Sequence, residues 1–127
     1  MKHKTLFLAS SIVCLIYGLL WFVAPVFTHA LFGREAGAYD IGSIMARYFG
    51  SALLGLTIAA FMARKAEPDS IAVRGLILGG FMLAVTSLFT ALIDAFLGNP
   101  NNMVWISAAI LAVFSIWFGM FVFKKSA

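Results

Sequence analysis

Four long apolar segments dominate the sequence and limit what the chain can fold into. They run over about residues 6–27, 44–63, 76–96 and 104–123. At a rise of about 1.5 Å per residue, a helix of about 20 residues crosses a hydrocarbon core of about 30 Å. Backbone groups must be satisfied internally in lipid, and the alternating pattern of membrane barrel strands is missing. The sequence therefore predicts an all-α protein with four membrane-spanning helices in a single transmembrane domain.

The overall composition excludes a water-soluble globule. Of the 127 residues, 63% are hydrophobic and 11% are charged, whereas soluble domains average about 45–50% apolar and about 25% charged residues. A chain this short has too little interior to bury such an excess. The formal net charge is +4, but the basic residues stand beside the apolar segments. That placement indicates orientation in a membrane and argues against nucleic acid as a partner.

The basic residues are distributed unevenly between the two sides of the four spans. Arg34 lies in the loop after span one and Arg47 lies within span two, while the other seven occupy the opposite side. By the positive-inside rule, both termini are expected in the cytoplasm. Span one is longer than the apolar core of about 7–15 residues in a signal peptide, so we expect it to be retained. The seven residues are Lys2, Lys4, Arg64, Lys65, Arg74, Lys124 and Lys125.

Short connections between the spans predict the topology. Neighbouring helices joined by short loops must run antiparallel, so the simplest packing is an up-down four-helix bundle with both termini inside. Pro25 predicts a kink near the end of span one. The residues 98–102 form a tight turn on the outer side, in which we expect Asn102 to cap span four.

Small residues recur at helical spacing in spans two, three and four. Membrane helices associate through such residues, because lipid is as apolar as a leucine side chain. Gly75 and Gly79 form a G-x-x-x-G pair, which serves either packing inside the bundle, the reading we favour, or a homodimer face. The expected packing residues are Gly42, Ala46, Gly50, Gly75, Gly79, Ala112 and Gly119.

Two ionisable residues lie within the spans, Arg47 and Asp94. A charge at the bilayer centre costs about 2.5–3.5 kcal/mol on insertion scales, so such residues usually face protein or a water-filled cavity. Counting residues from the outer ends of spans two and three places both in the outer third of the membrane. We therefore predict an Arg47–Asp94 pair, either as a structural clasp or as part of an outer-side cavity for a small polar or anionic molecule, a lipid or a quinone. The polar residues assigned to this site are Arg47, Asp94, Thr90, Ser43 and Tyr48.

Residues that carry catalysis or bind metal are sparse. The single cysteine, Cys14, excludes an internal disulfide and multi-cysteine centres. His3 and His29 fall on opposite sides of the membrane in this topology, so they cannot ligate one haem iron. The common nucleotide-binding, hydrolase and zinc-peptidase motifs are missing. We expect no catalytic residue, no metal and no obligatory cofactor, and a proton-coupled exporter is disfavoured because span one has no acidic residue.

A stretch from Ile16 to Arg64 resembles small bacterial inner-membrane proteins of the DoxX-like group. The likeness rests on a first span that ends in YGLLW and Ala-Pro, on Phe32-Gly33, and on ARYFG and LLGL in span two. This resemblance implies a four-span bundle in a bacterial inner membrane, sometimes an accessory to quinone-linked redox enzymes, with Arg47 as a polar-site residue. The leading hypothesis is thus an accessory or assembly component, acting as a homo-oligomer or beside a larger complex. The alternatives are a ligand-binding membrane protein and a quinone-dependent enzyme at the Arg47–Asp94 site.

Overall fold

The computed structural model describes residues 2–98 and 101–124. Within those residues the chain forms five α-helices and no strand. Four of these helices are long and apolar enough to cross a membrane, as the sequence predicts. The predictions for Asn99, Pro100 and Lys125 lie outside the described residues. The helices are α1 (His3–Val23), α2 (Pro25–Leu31), α3 (Ile41–Ala63), α4 (Ile71–Leu97) and α5 (Asn102–Val122).

The expected kink at Pro25 is a full break between two helices. Pro25 is the first residue of α2, a position that tolerates proline because the missing N–H would have no intrahelical acceptor. The Thr28 hydroxyl donates to the carbonyls of Leu20 and Ala24, at 2.8 Å each. The two carbonyls also accept backbone N–H groups, from Ala24 and Thr28 respectively, so the hydroxyl proton that they share adds to existing bonds and holds the short helix α2 against α1.

The helices after the two turns begin with side-chain caps. The Ser70 hydroxyl accepts from the Val73 N–H at 3.3 Å, and the Asn101 side chain accepts from the Val104 N–H at 3.2 Å. Such caps satisfy N–H groups that the first turn of a helix leaves free. The expected cap at Asn102 is therefore wrong by one residue, because Asn102 is already the first helical residue of α5.

Helices α1 and α3 pack closely through two glycines. A Cβ atom added to Gly50 would lie 2.6 Å from the Phe22 nitrogen and 2.8 Å from the Gly18 carbonyl oxygen. A Cβ atom added to Gly18 would lie 3.1 Å from the Leu54 side chain. The two backbones therefore approach each other only because these positions carry no side chain.

Helices α4 and α5 form the second close pair. The Phe118 ring occupies the space that a Cβ atom on Gly80 would need, and a Cβ atom on Gly119 would lie 3.3 Å from the Phe81 ring. Contacts between α1 and α5 and between α3 and α4 are much slighter. The four long helices thus form an up-down bundle of two tightly packed pairs.

The end of the bundle that carries both termini, here called the terminal end, holds the apolar core. His3 closes this end, because its Nε2 bonds the Ala66 carbonyl oxygen at 3.0 Å after the end of α3. All four long helices contribute to the core, so this end joins the two helix pairs. The buried core residues are Leu6, Phe7, Ala60, Ala63, Val73, Ile77 and Phe118.

At the opposite end, here called the distal end, polar contacts join the two helix pairs. The Tyr17 and Ser107 hydroxyls lie 3.0 Å apart and connect α1 with α5. The Asn101 side-chain amide donates to the Leu31 carbonyl at 2.9 Å and connects α2 with the start of α5. Both bonds join elements distant in sequence, and the Asn101 bond fixes the position of the short helix α2 over the bundle.

The predicted packing residues have different outcomes. Gly50 and Gly119 lie at close helix contacts and Ala46 is buried, whereas Ala112 is partly buried. Internal packing through Gly75 and Gly79 is wrong, because nothing lies within 4 Å of a Cβ atom at either position. Gly80 faces α5 instead, so the G-x-x-x-G face of α4 is turned away from the bundle. Gly42 is exposed, and its nearest neighbour is the His29 Nε2 at 3.9 Å from the added Cβ position.

Candidate functional site

Asp94 forms an ion pair with Arg34, and the expected pairing with Arg47 is absent among the described residues. Arg34 lies in the loop that follows α2, and this loop reaches the end of α4. Helices α3 and α4 contact each other only slightly, so equal depth in the membrane does not bring Arg47 to Asp94. The side chains of Arg34 and Asp94 are 47% and 21% exposed. This pair is therefore open to the surroundings at the distal end.

Thr90 and Tyr48 are both exposed, and the structure assigns neither of them to a shared polar site. The Thr90 hydroxyl donates to the Thr86 carbonyl at 3.0 Å within α4. A hydroxyl that bonds one turn back along its own helix has its hydrogen-bonding need met locally. Neither side chain contributes to a cavity around Arg47 and Asp94.

Two apolar grooves lie on the surface of the described structure. One of about 310 Å³ lies between α1 and α5, lined by Val13 and Phe114 among others, and another lies along the distal part of α4. Polar atoms contribute almost nothing to the lining of either groove. Neither groove contains Arg47 or Asp94.

Ser43 is the predicted site residue with the most unusual environment. Its side chain is 0% exposed, and its hydroxyl has no hydrogen-bond partner among the described residues. A serine in a membrane helix commonly bonds the carbonyl one turn back, as Ser51 does to Arg47 at 2.9 Å. Leaving a buried hydroxyl unpaired costs about 1–3 kcal/mol. The Ser43 hydroxyl is thus a buried group that can donate or accept a hydrogen bond and does neither among the described residues.

His29 is a second buried polar group at the same end. Its Nε2 is buried without a hydrogen-bond partner in the described part of the chain. Trp21 holds the imidazole edge-on with ring centroids 5.0 Å apart, and Phe32 stacks on Trp21 at 5.5 Å. The break at Pro25 brings His29 to α3, where its Nε2 faces Gly42. Sequence reasoning placed His29 in an outer loop and did not include it in the polar site.

The first turn of α3 lies beside these two groups and is not capped by a side chain. Asp40 precedes α3, but its carboxylate accepts from the Gly37 N–H at 2.6 Å and makes no capping bond. Asp40 contributes only its carbonyl oxygen, which accepts from the Ile44 N–H at 3.0 Å. The N–H groups of the first turn therefore stay available as donors.

Arg47 lies one turn after Ser43 on the same face of α3. Residues four apart on a helix have Cβ atoms about 5–6 Å apart. The Arg47 guanidinium has no hydrogen-bond or ion-pair partner among the described residues; only the Arg47 backbone carbonyl takes part in a side-chain bond. The distal end of α3 therefore combines an unpaired cation with unpaired neutral donors.

Comparison with protein-family models, with curated proteins and with solved structures found no match. The resemblance to the DoxX-like group therefore stays a prediction from the sequence. Within the described residues, no cluster of three histidine, cysteine, aspartate or glutamate side chains has the geometry to hold a metal ion. The candidate site rests on the geometry of α2 and α3 alone.

Proposed function

We propose that the protein is a small integral membrane component that works by assembling with other membrane-spanning helices, either as a homo-oligomer or beside a larger complex. The observation that carries this proposal is the open face of α4. In the most apolar stretch of α4 only 11% of the residues are buried, against 22% in α3 and 28% in α1 and α5. α4 therefore packs least within its own bundle.

The open face of α4 has the chemistry of a helix-docking surface. Gly75 and Gly79 have nothing within 4 Å of an added Cβ atom. Further along the same helix, Thr86 and Thr90 are exposed. In lipid, small residues four apart let a second helix approach closely, and packing replaces the hydrophobic effect as the driving force. This arrangement supports a role in assembly.

The basic residues and the DoxX-like resemblance support a bacterial inner membrane as the location. Six of the described basic residues lie at the terminal end, while Arg34 and Arg47 lie toward the distal end. By the positive-inside rule, the terminal end faces the cytoplasm and the distal end faces outward. A cysteine placed at Asn101 is then labelled by a membrane-impermeant reagent in intact cells.

Paired glycine substitutions test the assembly role. Gly75→Leu with Gly79→Leu fills the open face of α4, and we expect it to reduce the assembly to single chains in nanodiscs, measured by native mass spectrometry. Gly55→Leu is the matched control, because nothing lies within 4 Å of a Cβ atom at Gly55 on α3. An assembly that survives the double substitution contradicts docking through α4.

A second function is supported by a different observation. The buried unpaired groups of Ser43 and His29 favour the binding of a small polar or anionic ligand at the distal end. Buried polar groups nearly always have a hydrogen-bond partner in folded proteins. Two such groups without a partner at the same end of the bundle therefore need an explanation. In this reading the site contains Ser43, His29 and Arg47, without Asp94.

A further inference from the structure

The distal end of α3 combines three kinds of hydrogen-bond donor that have no acceptor in the described structure. They are the N–H groups of the first turn, the Ser43 hydroxyl and the His29 ring. Two other buried polar groups lack partners, Ser10 and Trp117, but neither lies at a helix N-terminus. Among residues 2–98 and 101–124, unpaired side chains and an uncapped helix start coincide only at α3.

Helix geometry directs the Ser43 hydroxyl toward these N–H groups. Ser43 is the third residue of α3, and Cα–Cβ bonds in a helix tilt toward its N-terminus. The side chain is fully buried and lacks a partner. Its Cα–Cβ bond points toward the end of α3 at which the helix dipole and the free N–H groups place partial positive charge.

His29 approaches the same turn from α2. Its Nε2 lies 3.9 Å from the position of a Cβ atom on Gly42, the second residue of α3. Gly42 is exposed and carries no side chain, so a ligand group can reach the backbone there. With the proton on Nε2, the imidazole donates toward the first turn of α3, while Trp21 holds the ring in place.

We propose that the first turn of α3, the Ser43 hydroxyl and the His29 Nε2 together bind a singly charged anionic oxygen group, as found in a phosphodiester or a carboxylate. The backbone N–H groups can only donate, and the Ser43 hydroxyl and the protonated His29 Nε2 can donate as well, so an accepting ligand pairs all three kinds of group. Arg47 adds positive charge one turn away, whereas the Asp40 carboxylate at the start of α3 disfavours a second negative charge. This inference rests on the second function proposed above and names its residues and ligand chemistry.

Two sources supply such a group. A phospholipid headgroup presents a phosphodiester at the membrane surface, and a soluble carboxylate reaches the site from water. Ile41 and Tyr39 are strongly exposed beside the site, so both lipid and water can approach it. The experiment therefore has one arm for each source.

The test uses the full chain, isotope-labelled and held in a maltoside detergent that carries no anionic group. Sodium acetate is titrated in one arm and dihexanoyl phosphatidylglycerol in the other, at ionic strength kept constant with sodium chloride. We expect saturable shifts of the Gly42 and Ser43 amide resonances and of the His29 ring nitrogens in at least one arm. Ser43→Ala and His29→Phe should each weaken binding about tenfold, as expected for loss of a hydrogen bond to a charged group.

The controls separate a local effect from a general one. Ser10→Ala removes another buried unpaired hydroxyl, on α1, and should leave the dissociation constant unchanged. His29→Gln retains an N–H donor and should bind more tightly than His29→Phe. No saturable shift in either arm overturns both this inference and the second function. Binding that persists unchanged in Ser43→Ala and His29→Phe overturns this inference alone, because the ligand then binds elsewhere.

Discussion

The two histidines mark the difference between the ends of the bundle. At the terminal end, His3 is buried and bonds the Ala66 carbonyl beside an apolar core built from all four long helices. At the distal end, the His29 Nε2 is buried without a partner, beside a fully buried serine in the same condition. The terminal end stabilises the fold through this core, and the Trp117 indole N–H that is buried there without a partner lies away from any helix start. At the distal end the unpaired groups lie beside the uncapped start of α3, which is the pattern of a site that receives a ligand.

The largest expected effect comes from truncating the core at the terminal end. Phe7 is 1% exposed and Phe27, near the distal end, is 57% exposed. Phe7→Ala should lower the free energy of unfolding by about 3–5 kcal/mol, because it removes buried contacts and leaves a cavity. Phe27→Ala should change it by less than about 1 kcal/mol. Unfolding in mixed micelles measures the free energy of unfolding of both variants. Equal losses of stability in the two variants would contradict the difference between the two ends.

Glycine substitutions give the next largest effect. Gly50→Ala places a Cβ atom 2.6 Å from the Phe22 nitrogen, and forcing α1 and α3 apart should cost about 1–3 kcal/mol. Gly55→Ala on the same helix meets open space, so it should be neutral or slightly stabilising. Thermal unfolding of the two variants compares them directly, and a tolerated Gly50→Ala would contradict the close packing of α1 on α3.

Replacing each histidine by phenylalanine sharpens the comparison further. His3→Phe leaves the Ala66 carbonyl without its donor and should cost about 1–3 kcal/mol. His29→Phe breaks no hydrogen bond within the described protein, so its stability in the ligand-free state should be unchanged or raised. Chemical unfolding in lipid-free micelles provides the measurement. A large loss in His29→Phe would show that the ring has a structural partner.

The smallest effect is expected for the exposed ion pair. A double-mutant cycle on Arg34→Ala and Asp94→Ala should give a coupling of about 0.2–1 kcal/mol, as is usual for exposed pairs. The same cycle on Arg47→Leu and Asp94→Leu should be additive, because the structure pairs Asp94 with Arg34. If the coupling free energy between Arg47 and Asp94 exceeds that between Arg34 and Asp94, the pairing predicted from the sequence is correct after all.

Hydropathy is enough to predict the four spans, because only apolar helices of this length are stable in lipid. The structure extends span three from the predicted 76–96 to Ile71–Leu97, because hydropathy marks the apolar part of a helix while capping sets its ends. Residue counts also predict the depth of a residue within its span. The rotation of a helix about its own axis cannot be predicted in this way, because the sequence of a uniformly apolar helix does not indicate which face is buried.

The errors at the candidate site follow from that missing rotation. Residue counts predict a comparable depth for Arg47 and Asp94, but the ion pair of Asp94 is with the loop residue Arg34. Gly79 and Gly80 are adjacent, and only packing against Phe118 distinguishes their faces. The polar site predicted from the sequence did not include His29. Pro25 was a usable indication, because a helix break at that position can fold the following residues back over α3. The buried Ser43 was included for its position beside Arg47, and its unpaired hydroxyl could not be read from sequence.

The thermal stability of wild type and Ser43→Ala, with and without the anion, tests the central claim that the distal end holds its donors for a ligand. Acetate or dihexanoyl phosphatidylglycerol at about 100 times its dissociation constant should stabilise the wild type by about 2.7 kcal/mol. Without ligand, Ser43→Ala should be as stable as the wild type or more so, and it should lose most of the ligand-induced gain. Strong destabilisation of ligand-free Ser43→Ala, or an undiminished gain on adding the anion, would contradict the account.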